Sequence, residues 1–181
     1  DVHVIVRPQS ILDELKPVLD NITVYTHDGT MESMISILGR SNPKIVIHLA
    51  SLFKAEHVSS DVAPLIQSNI TFSSQLVEAM VIHGVKIIVN TGTAWQHYEN
   101  KDYSPVCLYA ATKEAFEKIL AYYVETNSVK VITLKLFDTY GPDDPRKKLF
   151  PLLRESARRE KVLSMSAGEQ LIDLVYVDDV V

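Results

Sequence analysis

Tyr109 and Lys113 stand four residues apart in the stretch SPVCLYAATKEAFEKIL, residues 104–120, whose apolar spacing predicts a helix. Residues at positions i and i+4 lie on one face of a helix, so the phenol and the ammonium can point into one cleft. A nearby cation favours the ionised phenol and lowers its pKa from the ordinary value of about 10. The pair indicates either a proton-exchanging acid or a packed tyrosine beside a lysine that reaches solvent.

Composition narrows the class of protein. The chain has 181 residues, of which 46% are hydrophobic and 23% charged, as in one globular domain with a sizeable core. A net charge of -5 gives no electrostatic reason to expect a nucleic acid or membrane partner. The single cysteine, Cys107, excludes an internal disulfide framework and a cysteine-cluster zinc site. No apolar run is long enough to span a bilayer, so we expect a soluble, cytoplasmic protein without a metal site.

Apolar β-branched runs alternate along the chain with segments of helical period. The predicted strands are 2–6, 22–26, 44–50, 86–91 and 129–137, with later extended pieces at 162–166 and 171–177. The predicted helices are 10–20, 30–40, 61–83, 108–126 and 148–160. Near-continuously apolar strands separated by helices are typical of a parallel sheet covered on both faces. We therefore predict one α/β domain, residues 1–181, with a Rossmann-like, doubly wound parallel sheet.

The residues that follow the predicted strands are unusually polar. In doubly wound sheets, ligands bind outside the carboxyl ends of the strands, so these tips are candidate site residues. Taken singly, each tip is equally compatible with a turn or a helix cap. The tips are Arg7, Asp28-Gly29, His48 to Ser51, Asn90 to Thr93, and Asp138 to Pro142.

Five segments in order give the chain a resemblance to a known family. YAATK, residues 109–113, is similar to a Tyr-x-x-x-Lys motif, and NTGTAWQHY, HLAS, LKLFDTYGP and LIDLVYVDDVV match further segments at strand tips. The chain resembles the extended short-chain dehydrogenases/reductases, particularly the nucleotide-sugar epimerases, dehydratases and 4-reductases. Within them it looks most like the CDP-4-keto-6-deoxyhexose reductases that make abequose or paratose for bacterial surface polysaccharide. A motif match alone says little about substrate.

The resemblance implies roles for the paired residues. Tyr109 would be the acid/base that exchanges a proton with the sugar oxygen, and Lys113 would lower its pKa and hold the nicotinamide ribose. Thr91 would bind the reacting oxygen, with Thr93 as the alternative if the strand tip is shifted by two residues. The segment 94–107 would be a short substrate loop, in which His97 could contact substrate.

The same resemblance implies a dinucleotide cofactor. Arg7 follows the first strand, where an arginine accommodates a 2'-phosphate, so we predict NADP, with NAD possible. Asp28 and Gly29 would meet the adenine. His48, Leu49 and Ala50 would line the wall beside the nicotinamide.

The resemblance also predicts that the chain is incomplete. The family begins with a strand and a Gly-x-x-Gly-x-x-Gly loop that binds pyrophosphate, but this chain has no glycine before Gly29. Its first strand corresponds to the family's second, and it stops where relatives continue into a substrate lobe. We therefore expect a fragment that lacks both parts, binds cofactor poorly alone, and leaves sheet edges uncovered.

Departures from the family pattern concern the substrate. Lys135 and Asp138 replace an arginine and an asparagine, and Ile172 replaces an arginine that often binds the nucleotide diphosphate. Candidate replacements for that arginine are Arg146, Lys147 and Lys148. No acidic pair follows Thr91, so elimination of water is not expected, which leaves 4-keto reduction or epimerisation.

Partners and other classes of function complete the predictions. The resemblance implies a homodimer through the helices at 61–83 and 108–126. A non-catalytic dinucleotide sensor stays open as an alternative, although it has little need of the threonine, tyrosine and lysine. A receiver domain would need clustered acidic residues at the first strand tips, which Arg7 and Asp28 do not supply.

Overall fold

The computed structural model describes residues 1–142, 144, 146, 148–169 and 171–181. The chain divides into two compact units, Asp1–Lys135 and Leu136–Val181. Within the described ranges, no helix is long and apolar enough to cross a bilayer.

Five strands organise the first unit. They are β1 (Val2–Val6), β2 (Ile22–Thr26), β3 (Ile45–His48), β4 (Ile87–Thr93) and β5 (Lys130–Leu136). β1 pairs in parallel with β2, and β3 pairs in parallel with β4, with His48 opposite Asn90. The order is β1-β2 in one sheet and β3-β4-β5 in another. The predicted Rossmann-like α/β fold with parallel strands is confirmed, but the described strands form separate hydrogen-bonded sheets.

Helices connect the strands of this unit, and local sequence explains their bounds. The predicted helix at 10–20 is instead a 3₁₀ helix, Asp13–Asn21, because Pro17 cannot donate in an α-helical ladder. α1 (Met31–Ser41) begins after Thr30, whose side chain accepts from the Ser33 N–H, and ends at left-handed Asn42. α2 (Val62–Ile66), a π-helical turn (Gln67–Thr71) and α3 (Phe72–Ile82) follow one another. α4 runs from Leu108 to Asn127.

The core lies where α1, α3 and α4 pack together and against the strands. It is a single cluster of buried apolar side chains, to which Met34, Leu38, Met80, Ile88 and Phe116 contribute. Each of these is almost fully removed from water. Because Phe116 belongs to α4, burial of this face fixes the helix that carries Tyr109 and Lys113.

A cavity of about 820 Å³ separates β1 from β3. Its walls include Val2 to Ile5 on one side and Ile45 to Ala50 on the other. Each of the two strands pairs only on its far side among the described strands, and Ile45 and Ile47 are exposed. These are the uncovered edges that the sequence predicts, and they are spaced apart because no described strand pairs with both.

The second unit contains β6 (Asp138–Tyr140) in parallel with β7 (Leu174–Tyr176), and α5 (Leu149–Arg159). β6 lies in a segment predicted only as a polar tip. The extended piece predicted at 162–166 is wrong as a strand, since Val162 is 97% exposed and no described strand covers it. Gly141 is required here because a Cβ would lie 2.6 Å from Val177 Cγ1.

Replacement of Phe116 by alanine tests whether this core holds α4 in place. We expect a loss of about 3–5 kcal/mol in the free energy of unfolding, because a large buried ring leaves a cavity. Urea-induced unfolding measures the change. Tyr122→Ala on the same helix is the control, since that ring is 59% exposed. An equal loss in both variants would contradict the assignment of the core.

Candidate active site

Tyr109 lies in the first turn of α4. Its ring packs edge-on against Phe53 at 5.0 Å, and Phe53 lies 5.8 Å from Trp95, so the tyrosine is near the loop that follows β4. Burial raises the pKa of Tyr109, and a hydrogen bond with the Ser51 side chain partly lowers it. The predicted lowering of this pKa by Lys113 is not seen in this structure, where burial is the larger effect.

Lys113 lies one turn further along α4 and is only 2% exposed. It does not extend into solvent, contrary to the ordinary arrangement of a surface lysine. Burial lowers its pKa to about 8, although the charge of Glu117 opposes the change. Among the described residues, no carboxylate lies within 4 Å of its Nζ. A buried ammonium without an acid partner is suited to donate hydrogen bonds to hydroxyl groups of a ligand.

His48 ends β3 beside this lysine. Its Nδ1 lies 3.1 Å from Asn90 Oδ1 and its Nε2 lies 3.0 Å from Ser73 Oγ, so both ring nitrogens have partners. Burial, and next the charge of Lys113, lower its pKa to about 4. Since that value is below the ordinary 6.5, the fold loses stability as the pH falls from about 6.5 towards about 4. His48 is therefore a neutral, buried residue that links Asn90 and Ser73 by hydrogen bonds. Leu49 and Ala50, which follow it, are exposed.

Asn69 in the π-helical turn joins the loop after β3 to α4. Its Oδ1 accepts from the Leu52 N–H at 2.7 Å and from Ser51 Oγ at 3.2 Å. Its Nδ2 donates to the Leu52 carbonyl at 3.0 Å and to Thr112 Oγ1 at 2.9 Å. Thr112 donates in turn to the Tyr109 carbonyl at 2.7 Å. This buried amide fixes Ser51 relative to Tyr109, and π-helical turns are frequent at functional sites.

Thr91 and Thr93 occupy the end of β4 with different partners. The Thr91 hydroxyl donates to the His48 carbonyl at 3.0 Å, which leaves its oxygen as an acceptor. The Thr93 hydroxyl accepts from the Trp95 N–H at 3.3 Å, which leaves its proton available to a ligand. The geometry thus keeps both threonines as candidates for the group that binds the reacting oxygen.

His97 is tied into a polar cluster. Its Nδ1 lies 3.1 Å from the Lys101 carbonyl, its Nε2 contacts the Lys135 ammonium, and Glu114 is 3.8 Å away. A substrate contact by His97, as the sequence predicts, would displace one of these partners. Sequence reasoning missed Gln96 and Glu114, because some of their partners come from distant segments, whereas Ser51 lies in the tip predicted after β3.

The predicted cofactor residues lie at the carboxyl ends of β1, β2 and β3. Arg7 is exposed, with its N–H donating to Ser10 Oγ at 3.0 Å. Hydrogen bonds from the Thr30 side chain and N–H lower the pKa of Asp28, and Gly29 has a left-handed φ of 98° that a side chain would strain. His27 is buried with neither ring nitrogen paired among the described residues.

Two of these observations suit a dinucleotide. An orphaned buried imidazole next to Asp28 and a buried lysine on α4 without an acid partner both offer hydrogen-bonding groups that the described protein atoms do not use. These unused groups are compatible with a dinucleotide ligand, and His27 is a candidate contact that sequence reasoning missed.

The basic residues predicted to bind diphosphate belong to the second unit. Lys148 pairs with Asp138 at 2.9 Å, and Arg146 forms a bidentate pair with Asp144, at 2.7 Å for both nitrogens. Lys147 lies outside the described residues. Both described cations are already neutralised, so diphosphate binding by them would require exchange of partners.

The fold combines Rossmann-like parallel strands with two threonines at the end of β4 and with a tyrosine and a buried lysine on α4. This combination defines a domain of the nucleotide-binding α/β class. The whole chain, residues 1–181, matches the NAD dependent epimerase/dehydratase family, and it belongs to that family. The resemblance predicted from the sequence is confirmed at this level.

Several known proteins are similar to this chain. CDP-abequose synthase of Salmonella typhimurium is 26% identical over 165 residues, which cover 90% of this chain and 51% of that protein. UDP-N-acetylglucosamine 4-epimerase from Methanobrevibacter ruminantium, in complex with UDP-N-acetylmuramic acid, has a TM-score of 0.81 at 23% identity over 99% of this chain and 62% of that one. UDP-glucuronic acid 4-epimerase from Bacillus cereus, with UDP-glucuronic acid and NAD, has a TM-score of 0.79 at 21% identity over 98% and 62%. The structural likeness shows the fold, and the chain spans about half the length of the curated relatives it matches.

Replacement of Lys113 by methionine tests the burial of its charge. Because the folded pKa of about 8 is below the ordinary 10.5, burial of the ammonium destabilises the fold fully below pH 8, and the penalty disappears as the pH rises to about 10.5. We expect Lys113→Met to raise the free energy of unfolding by about 1–3 kcal/mol at neutral pH and by less at about pH 10. Urea unfolding at the two pH values measures the difference.

Lys118→Met is the matched control, since that side chain is 78% exposed. A surface charge of this kind contributes about 0–1 kcal/mol to stability. An equal change in the free energy of unfolding of Lys113→Met at both pH values, whether a gain or a loss, would show that burial of its charge does not destabilise the fold.

Proposed function

We propose that the complete protein containing this chain is an NAD(P)-dependent oxidoreductase of nucleotide-linked sugars. It would transfer hydride at C4 of a 4-keto-6-deoxy sugar, with Tyr109 as acid/base. The observation that carries the proposal is the placement of Tyr109 and buried Lys113 on one face of α4 beside the ends of β3 and β4. The similarity to CDP-abequose synthase supports the substrate class.

Reduction of a ketone requires one proton at the oxygen for each hydride added to the carbon. When bound, the nicotinamide cofactor supplies the hydride. Tyr109 would donate the proton, since its phenol is protonated at neutral pH; burial raises its pKa, and the hydrogen bond with the Ser51 side chain opposes that rise. After the transfer, the phenolate would be stabilised by the hydrogen bond with the Ser51 side chain. The reverse sequence oxidises the sugar hydroxyl, as an epimerase requires.

The remaining site residues position the reactants. Lys113 would donate to the ribose hydroxyls, which would take the place of water around its charge. Thr91 or Thr93 would bind the sugar oxygen, and the free hydroxyl proton favours Thr93 as a donor to it. A threonine that holds the sugar oxygen near the phenol would raise the rate by orienting the reactants, whatever the pKa of Tyr109.

The cofactor and the assembly are finer parts of the proposal. Exposed Arg7 at the end of β1 supports NADP, since a guanidinium binds a 2'-phosphate in bidentate fashion. A homodimer through the helices at 61–83 and 108–126 is supported by five exposed apolar side chains on them, Val62, Ile66, Ile82, Tyr122 and Val124. Epimerisation at C4 is the alternative, favoured by the 4-epimerases that share the fold.

Tyr109→Phe in the complete protein tests the acid/base assignment. We expect turnover of the nucleotide sugar to fall by about 100- to 10,000-fold, because the proton donor is removed while the packing against Phe53 is kept. Steady-state kinetics measure turnover, and fluorescence titration measures binding of NADPH, which should be preserved. The control is Tyr98→Phe in the loop after β4. Undiminished turnover in Tyr109→Phe would exclude the phenol as the proton donor.

Arg7→Asp in the complete protein tests cofactor choice. We expect the dissociation constant of NADPH to rise by about 10- to 100-fold, because a charge-assisted phosphate contact is lost, with a much smaller effect on NADH. Fluorescence titration with both cofactors measures the ratio. Equal weakening of NADH binding and NADPH binding would contradict the proposal that Arg7 binds a 2'-phosphate.

A further inference from the structure

Gln96 is a fully buried polar residue near the site, with 0% of its surface exposed. It lies in the 3₁₀ helix Ala94–Gln96, directly after β4. Its Nε2 donates to Glu114 Oε2 at 2.6 Å and to Glu117 Oε1 at 2.7 Å, and both carboxylates project from α4. Its Oε1 accepts from the Thr93 N–H at 2.8 Å. The amide oxygen of Gln96 therefore binds the end of β4, and its amide nitrogen binds α4.

Lys135 on β5 completes this cluster. Its Nζ lies 3.1 Å from Glu117 Oε2 and 3.6 Å from Glu114 Oε2. Burial raises the pKa of Glu114, but hydrogen bonds from Gln96 and Lys118 and the charges of Lys135 and Lys118 outweigh it and hold the pKa below its usual value. The Glu114 carboxylate thus stays ionised and accepts from the amide as a charged group, which makes this hydrogen bond strong.

The backbone at Gly92 fits this arrangement closely. A Cβ at that position would lie 2.8 Å from Gln96 Oε1 and 2.9 Å from Glu117 Oε1. A side chain at position 92 would therefore push aside the ends of Gln96 and Glu117, whereas glycine leaves room for both. The amide clamp consists of Gln96, Glu114, Glu117 and Lys135.

We propose that Gln96 is a positioning residue, which fixes the end of β4 with Thr91 and Thr93 relative to the helix that carries Tyr109 and Lys113. The inference rests on the proposed function. Glu114 and Glu117 follow Lys113 on the same rigid helix, and Thr93 follows Thr91 on the same strand. A shift at the amide clamp therefore changes the distance between the threonine hydroxyls and the phenol. Displacements of about 1 Å in reacting groups cost about 100-fold in rate.

Two variants of the complete protein distinguish the contribution of the Gln96 amide oxygen from that of its amide nitrogen. Gln96→Met removes both the donors and the acceptor, whereas Gln96→Glu keeps an acceptor for the Thr93 N–H and places a third carboxylate against Glu114 and Glu117. We expect amide hydrogen exchange at Thr93 to accelerate by about tenfold or more in the methionine variant, because a buried hydrogen bond is lost. Lys118→Met is the control, since Lys118 contacts Glu114 from solvent.

Kinetics then test the effect on positioning. In Gln96→Met we expect kcat for the nucleotide sugar to fall by about 100-fold, with the KM for the sugar and the NADPH dissociation constant nearly unchanged. In Gln96→Glu the loss should diminish as the pH falls, because the introduced carboxyl group regains one donor when it is protonated. The charged and titratable groups around it are Glu114 and Glu117 from α4, Lys135 from β5, and His97 beside it.

Several results would overturn the inference. Unchanged exchange at Thr93 in Gln96→Met would show that the amide does not hold the strand, and accelerated exchange with unchanged kcat would show that it does not position the site. A parallel loss of NADPH affinity and kcat would show a general structural role. If the unaltered protein turns over no nucleotide sugar, the proposed function itself fails, and with it the catalytic part of the inference, while the exchange result still decides whether the clamp exists.

Discussion

Burial of the Lys113 ammonium is the constraint on which the rest of the site depends. An ion taken out of water costs several kcal/mol unless a partner replaces its hydration, and no described carboxylate does so directly. The core around Phe116 supplies the stabilisation that keeps α4 in this position. The buried charge also helps to explain why His48 is neutral, because a second cation nearby would be strongly disfavoured. A ligand that accepts hydrogen bonds from Lys113 would offset part of the cost of burying its charge.

Two buried side-chain amides fix the positions of the strand ends relative to α4. Asn69 ties the loop after β3 to the first turn of α4, and Gln96 ties the end of β4 to the second and third turns. Each amide forms hydrogen bonds with two different segments, so neither segment can move relative to the other without breaking a buried hydrogen bond. The ends of β3 and β4 are thus tied to α4 by buried hydrogen bonds, which suits the proposal that Tyr109 and the threonines meet one oxygen atom.

Local sequence was sufficient for the parts of the fold that depend on neighbours in the chain. Hydrophobic period predicted the five strands of the first unit and α4, and the i, i+4 spacing placed Tyr109 and Lys113 together. It failed where a distant contact or a local conflict decides the structure. Pro17 turns a helical pattern into a 3₁₀ helix, and Val162 finds no described strand to pair with. His27 and Gln96 are ordinary in sequence, because only the tertiary fold buries them or brings their partners near.

The most direct measurement of the central claim is transfer of isotope from cofactor to sugar by the complete protein. NADPH carrying deuterium at C4 of the nicotinamide would be incubated with a nucleotide-linked 4-keto-6-deoxyhexose, and the product would be analysed by mass spectrometry and NMR. The account predicts one deuterium at C4 of the reduced sugar. Interconversion of sugars without label from the cofactor would support epimerisation instead, and absence of any product with both cofactors would contradict an oxidoreductase of nucleotide sugars.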